Sequence, residues 1–271
     1  MSAVRLEPRR VEKVWGRRDL GPPFGAVPAD AEPVGEIWFE PPDGREAALL
    51  VKYLFTSERL SIQVHPDDAA AQAAGSGPCG KDEAWLILSA DPGATIGLGL
   101  TERIDRDTLR RAALDGSIEG LVDWRPVRAG DVFYSPAGTI HAIGAGLSLI
   151  EVQENVDLTY RLYDYGRPRD LHLDEAVAVA RAEPFPGEQT ARPISEGRTQ
   201  LCAGARLRLE RCDGPGRFTL EDAAWVIPLT GHASLDGEGI EAGSVWMTDG
   251  PASLDLGPGA EVLVAFACAP G

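Results

Sequence analysis

The sequence predicts a mainly β protein made of jelly-roll barrels with a few short helices. Short runs of strand-forming residues, such as residues 34–40, are separated by glycine, proline and aspartate, a pattern typical of barrels with many short strands. Two Gly-x-Val triplets, at residues 130–132 and 243–245, suggest two related β units. We therefore expect a larger barrel followed by a smaller C-terminal β unit.

The segments follow one another in a simple order. Residues 1–30 are rich in proline and glycine and predict an irregular lead-in. Helical spacing in residues 102–123, and again in 171–183, predicts short helices, the second ended by Pro184 and Pro186. A linker is expected at 185–193, so we predict domains at 1–185 and 195–271. The expected strands lie in VGEIWFE, ALLVKYLF, LSIQVH, EAWLIL, GDVFYSP, LSLIEVQEN, RLRLERC, AAWVIPLTG, ASLDGEG, GSVWMTDG and EVLVAFAC.

Composition excludes several kinds of partner. The net charge of −16 disfavours nucleic acid and anionic membranes. No apolar run approaches the ~20 residues of a membrane helix, and the charged N-terminal segment does not resemble a signal peptide. We therefore expect a cytoplasmic protein, as monomer or homodimer. The four cysteines are scattered and are expected to be free thiols.

Four potential metal ligands fall in three strand-like segments. In LSIQVHPDD, alternation places Ser61, Gln63 and His65 on one face, with Leu60, Ile62 and Val64 on the other. In KDEAWLIL, the same rule groups Lys81, Glu83 and Trp85. In the third segment, the turn at Pro136 and Gly138 delivers His141 to the start of a strand.

These residues predict a metal site of Gln63, His65, Glu83 and His141. Two imidazoles, one carboxylate and one amide suit Zn²⁺, one per chain, with Mn²⁺, Fe²⁺ or Co²⁺ as alternatives. His172 and His232 lack such a patterned context and are interpreted as ordinary histidines. Asp67 and Asp68 are better interpreted as turn or helix-cap residues, and residues 103–111 as a solvated helix face.

The Gly-x5-Pro-x-Gly-x2-His pattern that ends at His141 resembles the second motif of cupins. The cupin His-x-His is here Gln63-Val64-His65, with Glu83 further on. In this form the chain resembles the type I phosphomannose isomerases, over about residues 8–180. The segments that carry the resemblance are VEKVWGRRDL, VGEIWFE, LSIQVHPDD, GKDEAW, PAGTIHAI, Glu151 and TYRLYDYGR.

The resemblance implies interconversion of mannose 6-phosphate and fructose 6-phosphate through an enediol. It places Glu151 in the site as base or proton relay. Arg161 follows ten residues later, and its fixed charge suits stabilisation of the enediolate or recognition of the phosphate. Lys81 shares the face of Glu83, and Ser61 can bind a phosphate or a sugar hydroxyl. We expect Glu151, Arg161 and Lys81 to be catalytic, and Ser61, Lys81 and Arg161 to bind a sugar phosphate.

Two other functions remain open from sequence. A cupin oxygenase using Fe²⁺ is disfavoured by Gln63 in place of histidine and by the cations Lys81 and Arg161. A non-catalytic sugar-binding cupin could lose Glu151 or Arg161, whereas this chain has both.

Overall fold

The computed structural model describes residues 3–187 and 189–268. The outermost ends of the two predicted domains, residues 1–2 and 269–271, lie outside the described residues. The elements of the first part are β1 (Val4–Arg5), β2 (Glu7–Arg17), β3 (Val34–Glu40), β4 (Leu49–Phe55), β5 (Ile62–Val64), α1 (Asp68–Ala73), β6 (Glu83–Ala90), β7 (Thr95–Leu100), α2 (Arg106–Asp115), α3 (Ile118–Leu121), β8 (Val122–Pro126), β9 (Val132–Ser135), β10 (His141–Ile143), β11 (Leu147–Glu154), β12 (Tyr160–Tyr163) and α4 (Leu173–Val179). The remaining elements are β13 (Arg192–Ser195), β14 (Arg198–Ala203), β15 (Leu207–Asp213), β16 (Gly216–Leu220), β17 (Trp225–Thr230), β18 (Ala233–Leu235), β19 (Glu238–Ile240), β20 (Trp246–Met247), β21 (Ala252–Leu256) and β22 (Glu261–Ala267).

The first barrel consists of two antiparallel sheets. One has the strand order β2-β3-β4-β11-β6-β9, and the other has β12-β5-β10-β7-β8. Side chains from both sheets, among them Leu54, Trp85 and Leu98, form one buried cluster, which is the barrel interior. The predicted mainly β jelly-roll fold is confirmed.

The second β unit packs against the outer face of the first barrel. Its sheets have the orders β1-β20-β17-β22-β15-β14-β13 and β16-β21-β18-β19. Val51 and Ile150 of the first barrel share a buried cluster with Leu209 and Leu263 of the second unit. Burial of this shared apolar surface holds the two units together.

Helices cover the opposite face of the first barrel. Leu109 of α2, Ile118 of α3 and Val177 of α4 pack in one cluster with Ile62 of β5. Asp67 caps α1 by accepting a hydrogen bond from the Ala70 N–H at 2.8 Å, which confirms its interpretation as a cap residue. Among the described residues, no helix is long and apolar enough to cross a membrane.

Two sequence-based expectations about strands are wrong. Residues 1–30 are not an irregular lead-in, because β2 occupies Glu7–Arg17 and pairs with β3. Its outward side chains are charged and exposed, as suits an edge strand, so it lacks the apolar signal of an inner strand. Leu60 does not face away from Ser61 and Gln63 but lines the same cavity, because β5 begins only at Ile62.

Candidate metal centre and substrate cavity

His65, Glu83 and His141 form a buried cluster inside the first barrel. Their candidate ligand atoms all lie within 4.8 Å of one another. His65 Nε2 is 2.9 Å from Glu83 Oε1, and His141 Nε2 is 3.6 Å from Glu83 Oε2. Strand β6 delivers Glu83, and the turn after Pro136 delivers His141 to the start of β10.

Both imidazoles present an unprotonated nitrogen to Glu83. His65 Nδ1 lies 2.7 Å from the Leu158 carbonyl oxygen, and His141 Nδ1 lies 2.9 Å from that of Thr139. A carbonyl oxygen can only accept, so each Nδ1 carries the proton and donates it. This arrangement is typical of metal-binding histidines, because it directs the Nε2 lone pair to the metal.

The cluster is therefore a set of acceptors facing one another. Lys81 Nζ is 2.5 Å from Glu83 Oε1, yet neither oxygen of Glu83 makes a well-aligned hydrogen bond with any described residue. The two Nε2 atoms have only long contacts with donors, 3.5 Å from Lys81 Nζ and 3.3 Å from Gln63 Nε2, so their lone pairs and the buried carboxylate favour a cation between them. The donor set, imidazole and carboxylate, fits a divalent metal such as Zn²⁺.

The protonation states agree with this interpretation. Burial, reinforced by the neighbouring Lys81, lowers the pKa of His65 to about 3. Burial also lowers the pKa of His141. Although burial opposes it, the pKa of Glu83 is held well below its usual range by the adjacent Lys81 ammonium. The three groups thus present neutral imidazoles and an ionised carboxylate, the forms that bind metals.

Gln63 borders the cluster but turns its nitrogen toward it. Its Nε2 lies 3.3 Å from His141 Nε2, and its Oε1 accepts a 2.9 Å hydrogen bond from Ser61 Oγ. Rotation of the amide by half a turn exchanges the two atoms, and Oε1 would then face the cluster. Of the four predicted ligands, the structure groups three directly and places the fourth at their edge.

A narrow polar cavity opens beside the cluster. Gln63 and Lys81 line this cavity and also adjoin the cluster. Five cationic side chains and three carboxylates line this cavity. It contains the predicted residues Ser61, Lys81, Glu151 and Arg161, so the structure brings all of them together. The lining residues are Lys13, Trp15, Glu36, Lys52, Leu54, Leu60, Ser61, Gln63, Lys81, Glu151, Asp157, Thr159, Arg161 and Arg169.

Glu151 lies on β11 and is held by two donors. Lys52 Nζ is 3.2 Å from its Oε1, and the Trp85 indole N–H donates to its Oε2 at 3.2 Å. Lys52 Nζ also lies 4.4 Å from the centre of the Trp38 ring, a favourable cation–π distance. The carboxylate is therefore fixed in the cavity wall by donors on β4 and β6, and Trp38 on β3 contacts one of these donors, Lys52.

Two arginines, Arg161 and Arg169, also line the cavity. Arg161 lies across from Gln63 in the β12–β5 pairing, and its Nε is buried without a hydrogen-bond partner among described residues. Burial and the nearby Arg169 lower the pKa of Arg161. Asp164 binds Arg169 through two hydrogen bonds of 2.6 Å. Two adjacent guanidinium groups in one cavity favour an anionic ligand.

Several residues that line the cavity were not among the site residues predicted from sequence. Lys52, Glu36 and Lys13 come from β4, β3 and β2, and Arg169 follows β12. Lys52 had a signal that could have been used, since it is the one charge in the otherwise apolar run LLVKYLF. For Lys13 and Arg169 no such signal exists, because each lies in a segment with several other charged residues.

A jelly-roll barrel with a His-Glu-His cluster between its sheets defines a cupin with an internal metal-binding site. The chain belongs to the mannose-6-phosphate isomerase family. It is 33% identical over 213 residues to the probable mannose-6-phosphate isomerase GmuF of Bacillus subtilis strain 168. This match covers 64% of this chain and 67% of that protein. With the mannose-6-phosphate isomerase of Streptococcus mutans serotype c it shares 43% identity over 137 residues, or 48% of this chain, but only 43% of the length of that relative.

Solved structures agree with this assignment. The mannose 6-phosphate isomerase of Bacillus subtilis superposes with a TM-score of 0.84 and 26% identity, covering 98% of this chain and 100% of that one. A zinc-bound mannose 6-phosphate isomerase superposes with a TM-score of 0.75 at 15% identity over 99% of this chain and 100% of its own, which shows the shared fold. No protein-family model matches the chain.

Proposed function

We propose that this chain is a metal-dependent isomerase that interconverts mannose 6-phosphate and fructose 6-phosphate. One observation carries the proposal: the buried acceptor cluster opens, past Lys81 and Gln63, into a cavity rich in cations. The cluster provides a place for a metal, and the cavity provides charge for a phosphate. Family membership supports the same substrate, since the named relatives are mannose-6-phosphate isomerases.

The metal would be held by Gln63, His65, Glu83 and His141, with one Zn²⁺ per chain and other divalent metals possible. When bound, such a metal acts as a Lewis acid toward the sugar oxygens. Glu83 would be the only anionic ligand among the four, so the site keeps a net positive charge. Lys81, whose ammonium adjoins Glu83, keeps its own charge because the attraction of the carboxylates outweighs burial and raises its pKa.

Glu151 is the proposed general base. Its carboxylate takes the proton from C2 of the open-chain aldose, and the C–H electron pair forms the C1–C2 double bond of an enediol. Negative charge moves to the former carbonyl oxygen, where the Lys81 ammonium or the Arg161 guanidinium stabilises it. Transfer of the O2 hydroxyl proton to O1 and return of a proton to C1 then give the ketose, with its carbonyl at C2.

The phosphate would bind next to Arg161 and Arg169. Arg161 and Arg169 supply guanidinium groups, and the Ser61 hydroxyl supplies a further donor. Arg169 is held in place by Asp164 at two 2.6 Å contacts, so binding does not have to order its side chain. The affinity for the phosphorylated sugar would therefore depend on Arg161 and Arg169.

The organisation of the protein completes the proposal. We place one domain at residues 1–185 and a smaller one at 195–271, with β1 of the first range joined to a sheet of the second, within a cytoplasmic monomer or homodimer. Neither nucleic acid nor membrane is a proposed partner, in line with the net charge of −16. The small-molecule substrate is a sugar phosphate.

The test is isomerisation in heavy water by the zinc-loaded protein. Mannose 6-phosphate should yield fructose 6-phosphate with deuterium incorporated at C1, since an enediol exchanges its proton with solvent. E151Q should keep its metal but lose at least about 100-fold in kcat, the usual contribution of a general base, whereas E40Q, at a half-buried position outside the cavity, should be unaffected. No ketose from metal-loaded protein would contradict the proposal and leave the oxygenase and sugar-binding alternatives.

A further inference from the structure

Asp82, between Lys81 and Glu83, has a network of its own. Its carboxylate accepts hydrogen bonds from the Ala137 N–H, at 2.7 Å, and from the Tyr134 hydroxyl. Its backbone N–H donates to Glu154 Oε2 at 2.9 Å, and its carbonyl accepts from the Glu154 N–H at 3.2 Å. The start of β6, which carries the metal-ligand carboxylate, is thus held from several directions.

The hairpin between β14 and β15, residues 204–206 of the second β unit, reaches into this network. Arg206 forms an ion pair with Asp68, and its Nε lies 3.8 Å from Glu154 Oε1. The hairpin is itself fixed, because the Gly204 N–H donates to the Leu207 carbonyl at 2.9 Å, and the Cys268 N–H donates to that of Arg206 at 2.7 Å.

The same hairpin packs against Tyr134, whose hydroxyl donates to the Asp82 carboxylate. Gly204 lies against the Tyr134 ring so closely that a Cβ at this position would collide with ring atoms. Tyr134 is 5% exposed and belongs to the apolar cluster shared by the two β units. Through Tyr134 and Glu154 the second unit therefore contacts both side chains that hold Asp82.

Arg206 also acts on the segment that carries His65. Asp68 lies three residues after His65, and its Oδ1 accepts from the Gly80 N–H at 2.8 Å. The Lys81 N–H donates to the Pro66 carbonyl at 3.0 Å. Arg206 thus joins the two segments, residues 65–68 and 80–83, that bring ligands to the same cluster.

We propose that Arg206 is a positioning residue through which the second β unit fixes the metal-ligand segments of the first barrel. The Arg206 guanidinium holds Asp68 and Glu154, and these hold the segments on which His65 and Glu83 lie. This gives the C-terminal unit a role in metal affinity. The inference rests on the metal site of the proposed function and not on the identity of the sugar.

The test is the Zn²⁺ affinity of the full chain, measured by competition with a chelator in the absence of sugar. R206M should weaken Zn²⁺ binding by about tenfold, the lower end of the range for outer-shell partners of metal ligands. R208M is the matched control, because Arg208 pairs with Glu210 and Asp222 inside the second unit; it should leave affinity unchanged. R206K, which keeps the charge but not the planar fork, should fall between wild type and R206M.

A purely structural role gives a different result. If Arg206 only joins the two units, R206M lowers the melting temperature while Zn²⁺ affinity equals that of R208M, and the inference is overturned. Should R206M fail to fold, the Zn²⁺ affinity of R206K tests the inference instead. An affinity of R206K equal to that of the wild type overturns the inference. Because no sugar is present, these outcomes stand whether or not the protein isomerises mannose 6-phosphate. At saturating Zn²⁺, a lower kcat of R206M with little change in KM would further support the inference, because it indicates that Lys81 and Glu83 have moved from their wild-type positions.

Discussion

Lys52 and Glu151 form an ion pair in the wall of the candidate active site. Their charged atoms are 3.2 Å apart, and the side chains are only 5% and 6% exposed. The two charges neutralise one another in a region that excludes most water, and the Trp85 N–H occupies the second oxygen of Glu151. The proposed base is therefore held by a residue of a neighbouring strand that the sequence did not single out.

Replacing Lys52 by methionine should destabilise the protein. The change leaves the Glu151 carboxylate buried without its counter-charge, and breaking such a pair costs about 3 kcal/mol or more in free energy of unfolding. Urea unfolding of the metal-free protein measures this difference. The exposed Arg9–Glu40 pair, 2.7 Å apart, provides the control, because R9M should cost less than about 1 kcal/mol. Equal losses in both variants would contradict the importance of the buried pair.

Replacing a histidine of the cluster should remove the metal. H65A and H141A each delete one imidazole whose Nδ1 is already oriented by a backbone carbonyl, so we expect less than about a tenth of the wild-type metal content. H232A removes an exposed histidine and should retain full content. Metal analysis after gel filtration measures all three. Full occupancy in H65A would exclude the proposed ligand set.

Replacing Asp164 by asparagine should weaken substrate binding. Asp164 fixes Arg169 through two charge-assisted contacts, and its loss should raise KM for mannose 6-phosphate about tenfold, with kcat changed less than about twofold. D174N, which removes the exposed partner of Arg110, is the control. Steady-state kinetics on both variants decide the matter. An unchanged KM in D164N would remove Arg169 from the phosphate site.

The pH dependence of stability should change in E154Q. Burial raises the pKa of Glu154 to about 7, from an ordinary value of 4.5. Between these values the unfolded chain has lost a proton that the folded protein keeps, so ionisation of Glu154 lowers stability as pH rises from about 4.5 to 7. E154Q cannot ionise. Its melting temperature relative to wild type should therefore rise across this range, in metal-free protein, and level off above pH 7. A difference independent of pH would contradict this shift.

The sequence was most informative where burial on one side of a strand left a regular pattern. VGEIWFE coincides with β3, and His141 begins β10 after the Pro-Gly turn, as expected. His65, Glu83 and His141 could be grouped because each lies in a strand-like segment of recognisable pattern. The four cysteines are free, as predicted.

Contacts between distant segments left no such pattern. Arg206 lies 138 residues from Asp68 in sequence, and nothing in its own neighbourhood indicates that partner. Lys13 on β2 and Arg169 in the loop after β12 likewise reach the cavity only because the fold brings these distant segments together. The charged edge strand β2 was missed because an exposed edge is not required to be apolar.

The most direct test of the account is a titration of metal-free protein with Zn²⁺ while fructose 6-phosphate formation from mannose 6-phosphate is followed. The acceptor cluster around Glu83 predicts that activity is absent without metal, rises in proportion to added Zn²⁺ and stops rising at one equivalent per chain. Activity that is full before any metal is added, or that stays absent beyond one equivalent, would contradict the account.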